Sequence, residues 1–177
     1  MKFVEQIMDK QGYEYAINRL AHEIVESNHG TKDLCIIGIA RRGVNIANDL
    51  VAVIEKAYGK VLQGKLDITL YRDDLSKVNE TPVLNGTEIS CDLAGKTVVL
   101  VDDVLYTGET VRVAVDALYR IGKPAKTKLC VLIDRGHRTI PFVAEFVGAH
   151  IFTKANQVIK VKCQTLDGQN CTELHEI

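Results

Sequence analysis

Apolar residues occur in this chain in two spacings. In the first they form short unbroken runs: Leu34, Cys35, Ile36 and Ile37 in residues 34–39, then Val98, Val99, Leu100 and Val101, then residues 129–133. Runs of this length with many β-branched members predict strands buried on both faces. In the second they recur every three or four residues. Ile17, Leu20, Ala21, Ile24 and Val25 share one face, with Arg19, His22 and Glu26 on the other; Ile46, Ala47, Leu50, Val51 and Ile54 share another, and residues 111–121 repeat the pattern. Each predicts an amphipathic helix. Asn28-His29-Gly30 and Gly122-Lys123-Pro124 supply helix stops. Residues 67–71 and 158–162 read as further strands, the latter as the last. Residues 1–12 carry no pattern, and the tail from Gln164 only a partial one. Strands alternating with helices predict an α/β fold, a mostly parallel sheet flanked by helices on both faces. No internal repeat or linker divides residues 1–177, which read as one domain.

Three strand ends carry polar clusters. After Val101 come Asp102 and Asp103, then Val104, Leu105, Tyr106 and the turn Thr107-Gly108-Glu109-Thr110, which opens the third helix. In an open α/β sheet, ligands bind at the carboxyl edge of the strands. A helix N-terminus there offers unsatisfied N–H groups to a phosphate, and Gly108 allows close backbone approach. The carboxylates suit neighbouring hydroxyls, or Mg2+ through water. A phosphate cup one step from a carboxylate pair describes a sugar-phosphate site. The strand ending at Ile39 runs into Ala40-Arg41-Arg42-Gly43, a basic turn able to grip a polyanion. The strand ending at Ile133 delivers Asp134-Arg135-Gly136-His137-Arg138. Residues 75–93 are polar and aperiodic, a length that suits a lid over a water-sensitive site; the arm as a whole spans about 71–95.

Composition adds bounds. With 46% hydrophobic and 25% charged residues, this is an ordinary globular mixture. A net charge of −1 gives no bulk electrostatic case for nucleic acid, so any such surface must be a local patch. The cysteines, at 35, 91, 130, 163 and 171, are odd in number and form no C-x-x-C pair, which favours a reducing cytoplasm over a disulfide framework. No signal-peptide pattern and no membrane-length apolar run is present.

Residues 98–110 resemble the phosphoribosyl-diphosphate (PRPP) signature of type I phosphoribosyltransferases. Together with Ile-Gly-Ile-x-x-Arg-Gly at 37–43, Asp-Ile-Thr-Leu-Tyr-Arg-Asp-Asp-Leu-Ser at 67–76 and Asp-Arg-Gly-His-Arg at 134–138, the chain resembles the PyrR family collinearly over nearly its whole length. Members are pyrimidine-operon attenuation regulators that are also uracil phosphoribosyltransferases. The resemblance implies that Asp102 and Asp103 hold the ribose hydroxyls and that residues 106–110 hold the 5′-phosphate. Arg41, Arg42 and Gly43 would form the pyrophosphate loop. Residues 71–74 would begin the lid, with Arg72 near the diphosphate, and Arg135, His137 and Arg138 would flank the uracil. Mg2+ would enter with PRPP rather than on direct protein ligands, and UMP would be the product. Purine transferases of the superfamily carry an Asp where this chain has Tyr106, which argues against a purine substrate. Attenuating members bind pyr mRNA on a basic surface of a dimer, which can pair into a tetramer. Arg19, His22 and Arg138 fit that surface, whereas Ser27, Ala40, Val143 and Ala149 replace basic residues and thin it. The alternatives are a nucleotide-sensing RNA-binding regulator with little or no catalysis, or another type I transferase.

Overall fold

A computed structural model of the chain describes residues 1–69 and 86–177. Five strands, β2 (Leu34–Ile39), β3 (Leu62–Leu66), β4 (Thr97–Leu105), β5 (Lys126–Asp134) and β6 (Phe146–His150), form a parallel sheet in the order β3-β2-β4-β5-β6. Its centre is in register from Ile37 to Leu100 to Leu129. Every residue of β2 is buried, as its unbroken apolar run requires.

Side-chain alternation along the strands makes two cores. Val99 and Val101 of β4, Leu34 and Ile36 of β2, and Cys130 and Leu132 of β5 face helices α1 (Lys10–Ser27) and α2 (Arg42–Tyr58). Val98 and Leu100, Cys35 and Ile37, and Leu129 and Val131 face helix α3 (Glu109–Ile121). Fully burying one such aliphatic side chain is worth about 1.5–3 kcal/mol. An exposed ion pair gives about 1 kcal/mol or less, so the two apolar layers decide the fold. The buried face of α1 includes Ile17, Leu20, Ala21, Ile24 and Val25, and that of α2 includes Ile46, Ala47, Leu50, Val51 and Ile54, as the spacing predicts.

A second, antiparallel sheet stands beside the first, built from β1 (Lys2–Met8), β7 (Gln157–Lys162) and β8 (Cys171–Glu176) in the order β1-β8-β7. The short helix α4 (Gln164–Asp167) joins β7 to β8.

Five expectations need correction. Residues 1–12 are not featureless: they supply β1 and the start of α1, whose N-cap Asp9 accepts the Gly12 N–H at 2.8 Å. Of the strand expected at 67–71, residues 67–69 form no strand and 70–71 lie outside the described residues; the strand of this region is β3, where Gly64 fits because a Cβ would sit 3.0 Å from Ile89. Helix α3 begins at Glu109 rather than 111. β7 is not the last strand, since β8 comes after it. Finally, β4 does not end at Val101 but runs to Leu105, so Asp102 and Asp103 lie within it. Of the arm expected at 71–95, residues 71–85 lie outside the described residues. Its described end is mostly irregular, with an isolated antiparallel bridge between Lys65 and Glu88.

Candidate active site

The C-terminal edge of the parallel sheet holds a cavity of about 910 Å³. Its lining includes Ala40, Arg41, Arg42, Thr69, Arg135 and the continuous stretch from Asp102 to Val111. Three separate sequence clusters therefore share one space, because parallel strands present all their carboxyl ends on one edge.

The two carboxylates are fixed by their own backbone. Asp102 Oδ1 accepts the Asp103 N–H at 2.9 Å, and Asp103 Oδ1 accepts the Val104 N–H at 2.8 Å. Asp102 is buried, and both acids line the cavity. Val98, Val99, Leu100 and Val101, the first part of the expected PRPP stretch, lie in the two cores instead of lining the cavity; packed there, they fix the position of the acid pair at the end of the strand.

Above β4, the chain turns at Gly108 with φ of 94°, in the left-handed region. Helix α3 starts there without a side-chain cap, so its first-turn N–H groups and positive dipole end meet the cavity. Thr107 holds the turn: its carbonyl accepts the N–H groups of Thr139 and Ile140, each at 3.0 Å. A Cβ on Gly108 would approach the Ile140 carbonyl to 3.0 Å.

Helix α2 begins at the same edge, again without a side-chain cap. Gly43 lets it come close: an added Cβ would lie 2.3 Å from the Val101 carbonyl oxygen. The Ala40–Arg41 peptide is cis. Arg41 is exposed, whereas Arg42 is anchored. Its Nε donates to the Val161 carbonyl at 2.6 Å and its Nη2 to both oxygens of Asp167, at 3.1 and 3.2 Å. The basic pair thus divides into a solvated cation and a tethered one.

The segment from Asp134 to Arg138 closes the third side. Arg135 is buried, stacks on the Tyr106 ring with its guanidinium carbon 3.9 Å from the ring centroid, and donates to Thr153 Oγ1 and the Gln157 carbonyl. Burial pulls its pKa below the usual arginine value, against the influence of Tyr106. Arg138 donates to the carbonyls of Leu105, Tyr106, Gly136 and Phe142 and pairs with Asp134 at 2.5 Å. Burial alone would raise the Asp134 carboxyl, but the Arg138 hydrogen bond and the Gly136 N–H outweigh it and hold it below its ordinary value. His137, at φ 59°, meets the Thr153 carbonyl through Nε2 at 2.7 Å.

Of the surface cations, Arg19 reaches the carbonyls of Val147 and Gly148 on β6, at 3.2 and 2.5 Å from Nη2, while its side chain stays 47% exposed. His22 Nδ1 meets the Tyr58 hydroxyl at 2.6 Å. Ala40 lies in the cavity wall, Ser27 bonds Lys128, Val143 is exposed, and Ala149 packs against the α1/α2 core. Arg72 lies outside the described residues. Sequence reasoning missed the roles of Asp134 and Asp167: Asp134 stands within a recognised cluster, but Asp167 carries no local signal.

The sequence matches the phosphoribosyl transferase domain family over residues 4–164. It is 49% identical over 173 residues to the bifunctional protein PyrR of Acetivibrio thermocellus, covering 97% of this chain and 94% of that protein. The bifunctional protein PyrR of Thermus aquaticus is 48% identical over 177 residues, with 99% and 98% covered. The chain belongs to the PyrR family. As members of that family are type I phosphoribosyltransferases, solved structures of the superfamily share its fold. A hypoxanthine-guanine phosphoribosyltransferase from Bacillus anthracis superposes with a TM-score of 0.73 at 20% identity, covering 98% of this chain and 99% of that one. A hypoxanthine phosphoribosyltransferase from Trypanosoma cruzi gives 0.76 at 19%, covering 98% and 96%. No helix among the described residues is long and apolar enough to cross a membrane.

Proposed function

We propose that this chain is a uracil phosphoribosyltransferase, converting uracil and PRPP to UMP and diphosphate, and that it also serves as a UMP-responsive regulator that binds pyr mRNA. The observation carrying the enzymatic reading is the shared cavity. It joins a carboxylate pair, a helix N-terminus behind a glycine turn, and a basic loop, which are the groups that a ribose, its 5′-phosphate and a diphosphate each require.

Asp102 and Asp103 accept hydrogen bonds from the ribose hydroxyls. The N–H groups from Thr107 to Thr110, with the two threonine hydroxyls, take the 5′-phosphate, and Tyr106 begins this loop. Arg41 and Arg42 face the diphosphate, and Arg72 is assigned there by the family resemblance. Displacement at C1 of the ribose builds positive charge on the sugar and negative charge on the departing diphosphate; the guanidiniums stabilise the latter, and the carboxylates lie where they favour the former. Two carboxylates are too few for an all-protein cage and suit a Mg2+ carried in by polyphosphate, so Asp102 and Asp103 are the residues that would meet it. When bound, the ion neutralises diphosphate charge and so improves the leaving group. Uracil is assigned to the segment holding Arg135, His137 and Arg138, beside Tyr106, the position at which purine transferases of the superfamily carry an Asp.

Diphosphate release from PRPP on adding uracil, with hypoxanthine, guanine and orotate as controls, tests this reading. Release with uracil alone is expected; release with another base alone overturns the substrate. The mRNA role draws on the relatives being named bifunctional and on Arg19, which holds β6 yet stays half-exposed. A UMP-dependent RNA titration at several salt concentrations tests it. The thinned basic face predicts a shallow dependence of affinity on salt.

A further inference from the structure

Arg42 is held from outside its own loop. The Nε and Nη2 edge of its guanidinium is occupied by the Val161 carbonyl and the Asp167 carboxylate, both from the small-sheet side of the site. Nη1 has no hydrogen-bond partner among the described residues, and Arg42 lines the cavity. Asp167 is itself fixed, because its Oδ2 accepts the Cys163 N–H at 2.9 Å and its backbone N–H donates to the Cys163 carbonyl at 2.7 Å. A second contact binds the same two elements, Thr165 Oγ1 donating to Asn45 Oδ1 at 2.5 Å.

We propose that Asp167 is a positioning residue for the diphosphate loop. It grips Arg42 by one edge, sets the first residue of α2, and leaves Nη1 as the donor presented to the leaving group. A side chain as long as arginine loses considerable rotamer freedom when it binds an anion. Asp167 takes up that ordering before the substrate arrives, which is preorganisation. This inference rests on the reading of residues 40–43 as the diphosphate loop.

The test uses the full chain, with inorganic diphosphate plus Mg2+ and UMP as separate probes. Asp167→Asn removes the charge and keeps an oxygen to accept the Cys163 N–H, so the fold is retained; a melting curve checks this. Arg41→Ala reports on the loop itself. For Asp167→Asn, diphosphate binding and the KM for PRPP are expected to weaken about tenfold, with kcat changed about twofold at most. UMP, which lacks diphosphate, is expected to bind as before, and Asp167→Glu to recover part of the loss. If Arg41→Ala weakens diphosphate and Asp167→Asn does not, the positioning role is overturned and the loop reading stands. If neither variant weakens it, the loop reading fails, and the inference with it. Equal weakening of diphosphate and UMP by Asp167→Asn makes the residue merely structural and overturns the proposal.

Discussion

The β2–α2 and β4–α3 units use the same plan to opposite effect. Each ends a buried strand at the cavity, turns sharply, and starts an uncapped helix there. The first turn is basic and is braced by the small sheet, through Arg42 to Val161 and Asp167. The second comes after two acids and is braced by the segment beyond β5, through Thr107 to Thr139 and Ile140 and through Arg138 to Leu105 and Tyr106. A strand–turn–helix unit brings an uncapped helix N-terminus to the cavity and carries its charge in or beside the turn, but its bracing comes from residues far away in sequence. The two halves should therefore fail differently.

Removing a carboxylate should have the largest effect. Asp103→Asn is expected to lower uracil-dependent diphosphate release by about 100-fold or more while leaving the melting temperature nearly unchanged. Steady-state kinetics beside a thermal melt checks this, and a loss of activity matched by an equal loss of stability would erase the distinction between the acid pair and its scaffold. Gly43→Ala comes next. Its Cβ meets a backbone carbonyl of β4 at 2.3 Å, which no side-chain shift relieves. About 3 kcal/mol of destabilisation is expected, or roughly 6–12 °C in melting temperature for a chain of this size. Gly108→Ala should cost less, about 1–2 kcal/mol, since the strain is one left-handed residue with an approach of 3.0 Å. If Gly108→Ala proved the more damaging, the acidic unit and not the basic one would be the tightly packed half.

The smallest effect concerns Asp134. Its carboxyl is held below the usual range in the fold, so it binds protons less readily there than in the unfolded chain. Its stabilisation is present in full above the unfolded value of about 3.9 and is lost as pH falls from there through the lower folded value. Melting curves from pH 7 down to pH 3 should show this acid limb, and Asp134→Asn should flatten it. An unchanged limb would mean that Arg138 is held by the carbonyls alone.

The centre of the parallel sheet, β2, β4 and β5, is legible in the sequence because these strands are buried on both faces and read as apolar runs, whereas the edge strands β3 and β6 are not. The β2 boundaries coincide with an unbroken apolar run, and the helix faces with their spacing. β1 and β8 are not legible: β1, Lys-Phe-Val-Glu-Gln-Ile-Met, is an edge strand with no buried residue, and in β8, Cys-Thr-Glu-Leu-His-Glu, the buried positions Cys171, Thr172 and Leu174 do not alternate. The site clusters are visible as clusters, since strand ends share an edge. Which arginines are used internally is hidden. Arg19 finds its carbonyls 128 and 129 residues away, and Arg42 finds Asp167 at a separation of 125. Nothing local marks either choice.

The pairing of β1 with β8 also bears on how the molecule is made. Lys2 lies opposite Glu176, so a segment made before the parallel sheet waits for one made after it. The strand pairing of the parallel sheet is complete by His150 and can form during synthesis. The small sheet cannot close until residues past 170 have emerged, and the tether on Arg42 waits for Val161 and Asp167. A nascent chain can therefore hold a paired central sheet while the basic turn at residues 40–43 is still unanchored.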